Sequence, residues 1–193
     1  QLSGVVPQIS VVAGTCIGSA ALLACASDYL ILTKDSAFYL SPPNGNEAAG
    51  TASAAAKAGT AALVCEDDMT AIDKARALLN LLPVNNLSGV PMFEFDAPAA
   101  MGTASLQEQL AGLADAGETI ELYADFGTAA YTGFCTMGGS TVGIAATNKT
   151  ASPLTADDCA KLARFVRACD AFSIPVITLL DTPGFAASAE AEL

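Results

Sequence analysis

KLARFVRACDAFSIPVITLLDTPGF, residues 161–185, is the stretch whose reading decides the fold. Its first half closes the segment LTADDCAKLARFVRACDAF, residues 154–172, in which Thr155 is a helix cap and Cys159, Leu162, Ala163, Val166 and Cys169 fall near one helical face. Its second half, IPVITLLDTPGF, is an apolar, β-branched run that reads as a buried strand ending in a turn. Pro183 fixes that turn, and Gly184 exposes backbone N–H groups at a strand end, where ligands of α/β folds commonly sit. Taken alone, the five residues DTPGF favour an ordinary β-to-α turn.

The same alternation extends upstream. ETIELYADFG (residues 118–127) and YTGFCTMGGSTVGIAAT (residues 131–147) read as strands, the latter folded around a Gly138-Gly139 hairpin turn. Residues 84–117 lose any period among prolines, glycines and asparagines and read as a linker, with a short helix in residues 106–117. Before it, strands are expected at residues 6–14, 29–34, 37–40 and 61–65, and a helix at residues 18–26. SPPNGN, residues 41–46, breaks the chain. DDMTAIDKARALLNLLP, residues 67–83, is a helix capped by Asp67 or Asp68, with Ile72, Ala75, Leu78, Leu79 and Leu82 at helical spacing and Pro83 as its stop. The alternation predicts an α/β architecture in two units, residues 1–83 and 118–193, joined by residues 84–117.

Composition narrows the function. The chain has 193 residues, 52% hydrophobic and 15% charged, which excludes a disordered polymer. Eight Lys and Arg against twenty Asp and Glu give a net charge of −12, which argues against nucleic-acid binding. An anionic small molecule can still be held by backbone N–H groups at a helix start. The six cysteines (Cys16, Cys25, Cys65, Cys135, Cys159, Cys169) form no CxxC pair and no histidine is present, so free, buried thiols are expected and no metal site. The apolar residues 5–32 are interrupted by Pro7, Gln8, Gly14, Gly18 and Asp28, and no charged leader precedes them. A soluble cytoplasmic protein without a transmembrane segment is expected.

AGTCIGSAA, residues 13–21, carries the clearest chemistry. Gly14 and Gly18 allow a sharp turn and a close ligand, and the following helix leaves its first N–H groups without internal partners. Such groups form half of an oxyanion hole, worth about 3 kcal/mol or more as a thioester becomes an enolate. A close-packed strand-to-helix crossing needs the same glycines. Asp28 reads as structural, Asp157 and Asp158 as dipole partners, residues 66–68 as a helix entry, and Lys161, Arg164 and Arg167 as one solvated or salt-bridged helix face.

VPQISVVAGTCIGSAALLACASDYLILTKDSAFYLSPP, residues 6–43, resembles the glycine-rich strand-turn-helix of the biotin-dependent acyl-CoA carboxyltransferase family. Residues 161–185 resemble that family's second-domain signature more closely still. LLNLLP (residues 78–83) and GFCTMGGSTVGIA (residues 133–145) follow in the family's order. The resemblance implies two incomplete copies of the crotonase-like (ClpP/crotonase) ββα spiral unit, the first binding acyl-CoA and the second biotin. It implies active sites between subunits, biotin carried on a biotin carboxyl carrier protein or domain, no metal, and a homo-oligomer or complementing chains. Residue by residue, it implies that Gly18 and Ser19 supply one thioester oxyanion donor and that Gly184 and Phe185 supply one on the biotin side. Gly14, Thr15, Cys16 and Ile17 would line the first site, and Thr182 and Pro183 would shape the second.

Several positions depart from the family pattern. Ser19 stands for a second glycine, Leu22 for an aromatic residue, Ser41 for the glycine of a Gly-Pro turn, and residues 186–188 for a Pro-Gly pair. The family's sequence before residue 6 and after residue 193 has no counterpart here, so an internal piece of a longer enzyme is expected. Two other readings stand beside carboxyl transfer: a non-catalytic structural or assembly paralogue, and another crotonase-fold acyl-CoA enzyme. The latter wants a carboxylate base near the first turn, and residues 13–26 offer none.

Overall fold

The β-branched run after Pro7 forms the first strand. β1 (Ile9–Val12) bends at Gly14 into β2 (Thr15–Ile17) and α1 (Ser19–Cys25), and β3 (Tyr29–Thr33) and β4 (Ala37–Tyr39) follow. A short 3-10 turn at Glu47–Gly50 leads to α2 (Ala52–Lys57), β5 (Leu63–Cys65) and α3 (Asp68–Leu81). Then come α4 (Leu106–Leu113), β6 (Thr119–Leu122), β7 (Tyr131–Met137), β8 (Ser140–Ala146), α5 (Ala156–Ala171) and β9 (Val176–Leu179). This is a computed structural model, and it describes residues 3–41, 45, 47–96, 102, 105–115 and 119–187. Residues 42–44 and 46 of the expected chain break, residues 116–118 at the end of the expected linker and start of the next strand, and residue 188 of the departing 186–188 triplet lie outside the described residues.

The strands form three sheets: β1-β3-β5, all parallel; the parallel ribbon β2-β4; and β6-β7-β8-β9, in which β9 alone runs parallel to its neighbour. Parallel neighbours need a crossover, and α1, α2 and α5 supply it between β1 and β3, β3 and β5, and β8 and β9. The β7–β8 hairpin turns at Gly138 (φ 59°) and Gly139 (φ 78°), the doubly positive φ of a type I′ two-residue turn. Both Asp115 oxygens accept from that turn, from the N–H of Gly138 at 3.0 Å and of Gly139 at 2.8 Å.

One apolar core runs through both halves of the chain. Tyr29, Ile31 and Leu78 bury against Leu122, Phe134, Phe165 and Phe172. Tyr29 meets Phe134 edge-on with centroids 6.0 Å apart, and Phe134 meets Phe165 at 5.1 Å. At Gly143 a Cβ would come within 2.8 Å of the Cys169 sulfur, so this position lets α5 lie close on β8. The segment between the halves also packs on the sheet, with the Phe93 N–H donating to the Gly139 carbonyl at 2.7 Å.

Several side chains differ from expectation. The buried stripe of α5 is Asp158, Lys161, Phe165 and Cys169, whereas Val166 and Ala163 face outward. The large Phe165 and Phe172 seek the core, and that turns the helix away from the Val166 phase. Of the three expected surface cations only Arg167 is exposed. Lys161 is fully buried, and Arg164 lies over the Tyr123 ring at 3.9 Å while donating to the Gly59 carbonyl at 2.8 Å. In α3 the buried residues are Ala71 and Leu78, and Ile72 and Leu79 are exposed. All six thiols are free, but Cys25, near the end of α1, is exposed, and Cys16 on β2 and Cys159 in the first turn of α5 are half-buried. Asp67 caps α3, accepting from the Thr70 N–H at 2.8 Å. No helix among the described residues is long and apolar enough to cross a membrane.

Candidate functional site

The first turn hangs between two sheets. Its β2 strand pairs in register with β4, Thr15 to Ala37 and Ile17 to Tyr39, and the Ala37 N–H donates to the Gly14 carbonyl at 3.1 Å. Upstream, Asp28 fixes the start of β1 by accepting from the Gln8 N–H at 2.8 Å, which is the structural role its position suggests. Burial pushes its carboxyl above the usual range, and the Gln8 bond offsets this in part. Gly18 then takes φ 64° and ψ −125°, a conformation closed to side chains with a Cβ.

Its own N–H is already used, donating to the Tyr39 carbonyl at 2.9 Å. Gly18 therefore makes the turn and Ser19 inherits the donor. Tyr123 and Ser173 are the non-glycine residues with positive φ among those described, so Ser19 sits in ordinary backbone space. As the first residue of α1 it has no intrahelical acceptor, and its N–H has no partner among the described residues. Thr15 and Ile17 are exposed beside it, Cys16 is half-buried, and Leu22 and Leu23 point outward at 63% and 73% exposure.

The second turn follows β9. The Asp181 N–H donates to the Thr147 hydroxyl at 3.0 Å, and the Thr147 N–H donates to the Leu179 carbonyl at 3.0 Å, so β8 sets where the strand ends. Within the turn the Gly184 N–H donates to the Thr182 hydroxyl at 3.2 Å, and Gly184 takes φ 124°. Leu154 brackets what comes next: its N–H donates to the Gly184 carbonyl at 2.9 Å and its carbonyl accepts from the Ala186 N–H at 2.8 Å. Between those two bonds the Phe185 N–H has no partner among the described residues, and its ring is 73% exposed. A cavity of about 310 Å³ opens alongside, between α4 and the end of β9, walled by Leu113, Leu179 and Leu180. There Asn148 donates to Gln109 Oε1 at 3.1 Å while its own Oδ1 is buried without a partner among the described residues.

The two turns thus share a design: a positive-φ glycine whose own N–H is hydrogen-bonded, followed by a residue whose N–H has no partner among the described residues. They belong to different sheets, and among the described residues no hydrogen bond joins them. No group of three or more potential metal ligands is found among the described residues.

Around the second turn the structure brings in groups that the sequence did not single out for it. Asp158 Oδ1 accepts from the N–H of Ala129 and of Ala130, each at 2.9 Å, and Lys161 Nζ donates to the carbonyls of Gly127 at 3.3 Å and Ala130 at 2.9 Å. Burial alone would raise the Asp158 carboxyl, but hydrogen bonds from Thr155, Ala130 and Ala129 outweigh it and hold the group below the usual range. Burial, then the Lys149 charge, pulls the Lys161 ammonium down to about 8. The one sequence signal for them was spacing, since Asp158 and Lys161 lie on the Phe165 side of the helix.

Residues 1–193 match the carboxyl transferase domain along their whole length. The chain belongs to the carboxyl transferase domain family. It is 33% identical to the propionyl-CoA carboxylase beta chain of Roseobacter denitrificans over 95% of this chain and 41% of that protein. With the methylmalonyl-CoA carboxyltransferase 12S subunit of Propionibacterium freudenreichii subsp. shermanii it shares 30% identity over 96% of this chain and 40% of the relative. Its backbone superposes on the transcarboxylase 12S crystal structure, a hexamer with methylmalonyl-CoA and methylmalonic acid bound, with a TM-score of 0.89 at 29% identity. That match covers 99% of this carboxyl transferase domain and 42% of the 12S chain. The domain therefore spans about two fifths of the length of the relatives it matches. Its α/β fold is the crotonase-like fold of carboxyl transferases, as the sequence resemblance implied.

Proposed function

We propose that this carboxyl transferase domain serves transfer of a carboxyl group between carboxybiotin and an acyl-CoA, with backbone N–H groups stabilising the enolate. Residues 1–83 are assigned to the acyl-CoA side, residues 118–193 to the biotin side, and residues 84–117 to the join. The observation that carries this is the matched pair of turns, each leaving one backbone N–H without a partner among the described residues: Ser19 on the first and Phe185 on the second.

On the acyl-CoA side the Ser19 N–H donates to the thioester oxygen. As the α-proton leaves, negative charge collects on that oxygen and the bond strengthens, an effect of about 3 kcal/mol for one well-placed donor. Gly18 holds the turn, and Gly14, Thr15, Cys16 and Ile17 line the approach. With a net charge of −12 the protein repels anions at long range, so recognition of an acyl-CoA rests on such local donors. On the biotin side the residues fit a ureido group: the Phe185 N–H suits its oxygen and the exposed Phe185 ring offers an apolar face, with Thr182, Pro183 and Gly184 shaping the turn. When bound, biotin supplies the carboxyl group to be transferred, delivered on a biotin carboxyl carrier protein. The separation of the two turns and the hexamer of transcarboxylase 12S support a homo-oligomer or complementing chains, with sites formed between subunits. Six free thiols suit a reducing cytoplasm.

The test is biotin-dependent decarboxylation of methylmalonyl-CoA and malonyl-CoA by the protein as its native cells make it. Release of CO2 that requires added biotin is the expected result. Turnover of either thioester that ignores biotin, or none at all, contradicts the assignment.

A further inference from the structure

We infer that Asp158 and Lys161 are positioning residues for the second turn: together they cinch residues 127–130 onto the first turn of α5 and so fix Leu154, whose backbone brackets Gly184 and Ala186. That this turn receives biotin rests on the function proposed above; the mechanical link does not.

The loop 127–130 connects β6 to β7 and sits against α5 without a gap. At Gly127, φ 54°, a Cβ would come within 2.8 Å of the Asp158 Cα. The two charged side chains then divide the loop's backbone between them. Asp158 takes its N–H groups at Ala129 and Ala130, and Lys161 takes its carbonyls at Gly127 and Ala130. The second Asp158 oxygen reaches the other way, accepting from the Thr155 N–H at 2.7 Å and its hydroxyl at 2.6 Å. Thr155 is the neighbour of Leu154 in the chain.

Leu154 is held from the loop side as well, since its side chain is buried in one small cluster with Ala129 and Ala130. Two separate contacts thus run from the buried charges to Leu154, one through the backbone at Thr155 and one through the Ala129–Ala130 methyl groups. Leu154 passes the constraint on through its two backbone bonds to Gly184 and Ala186. The Phe185 N–H between them points where those bonds leave it.

Buried charges are an unfavourable way to fill space: Asp158 is 1% exposed and Lys161 0%, and apolar residues of similar size would pack without losing hydration. What apolar residues lack is direction. A carboxylate and an ammonium fix the N–H and C=O vectors of the loop at once. Lys149, donating to the Ala124 carbonyl at 3.1 Å and paired with Glu121, holds the chain between β6 and this loop.

Asp158→Asn and Lys161→Met are made in the protein as its cells produce it, with the exposed Arg167→Met as control, and amide hydrogen exchange is followed. An amide replaces one acceptor oxygen of Asp158 by a donor, so either Thr155 or the loop loses its partner. The expected result is exchange about tenfold faster at the Leu154 and Ala186 amides, the loss of roughly one hydrogen bond, with the Gly143 amide of β8 and the Thr147 amide just after it unchanged. Unchanged protection at Leu154 and Ala186 overturns the inference, and so does equal loss at all four amides, which marks a general loss of stability. Thr155→Val, at an exposed position, gives the same readout where the buried variants do not fold. In biotin-dependent decarboxylation the KM for free biotin rises about tenfold in both buried variants while the KM for the acyl-CoA stays, consistent with a shifted second turn. A wild-type protein without that activity contradicts the proposed function and leaves the exchange data to judge the positioning role.

Discussion

Lys161 is charged at neutral pH although burial, then the nearby Lys149, brings its ammonium down to about 8. Between that value and the ordinary 10.5 the folded protein binds fewer protons than the unfolded chain, so this residue's contribution to stability grows as pH rises through the window. Cys135 and Cys169 act oppositely: burial raises their thiols to about 11 and about 12, and the stability they contribute is complete below pH 9 and lost as pH climbs through those values. The wild-type melting temperature is expected to hold or rise from pH 8 to 9 and fall above it. Lys161→Met is expected to lose the rise and fall more steeply, and matching profiles would contradict the burial of a charged lysine. None of this was legible in the sequence, because the partners of Lys161 are backbone carbonyls 31 and 34 residues away. Gly18 and Gly184 were legible, since a glycine at a strand end announces a turn whatever surrounds it. The division of labour at Gly18 was not: its N–H is consumed by Tyr39, a contact that only the β2–β4 register creates.

At the scale of elements, the β7–β8 hairpin shows how a local signal and a distant one combine. Gly138-Gly139 set the turn and were readable, whereas the Asp115 carboxylate that accepts from both N–H groups comes from beyond α4. Asp115→Ala strands the buried Gly139 donor and the more open Gly138 donor and is expected to cost about 1–3 kcal/mol, measured as a lower urea midpoint with an unchanged m-value. A midpoint equal to wild type would mean water serves those donors as well. Helices α3 and α5 were placed correctly along the chain, and Leu78, Leu82 and Cys169 are buried as expected, but Ile72, Leu79, Ala163 and Val166 are exposed. Val166 and Ile72 looked like core residues by hydropathy, yet the aromatic Phe165 sets the phase of α5 and the small Ala71 lets α3 lie close, so size and shape decided what hydropathy could not.

Over the whole molecule, the two halves meet across Tyr123. Its N–H donates to the Ala62 carbonyl at 2.8 Å, and Arg164 covers its ring while reaching Gly59. Arg164→Ala removes a stacked cation and a charged hydrogen bond, an expected loss of about 2–3 kcal/mol. Unfolding is still expected to be a single transition, because the Tyr29–Phe134–Phe165 core spans both halves; two transitions would show that the seam alone couples them. The alternation of strands and helices made the α/β architecture readable, but a common core contributed by residues so far apart in sequence leaves no local mark. The central claim, that a single backbone N–H at the first turn stabilises a thioester enolate, is tested most directly by Ser19→Pro. Proline is tolerated at the first position of a helix and removes only that donor. With biotin and methylmalonyl-CoA as substrates, kcat is expected to fall by about 10²–10³ while Ser19→Ala stays near wild type and both variants keep the wild-type melting temperature. A folded Ser19→Pro variant that turns over at the wild-type rate would contradict the account.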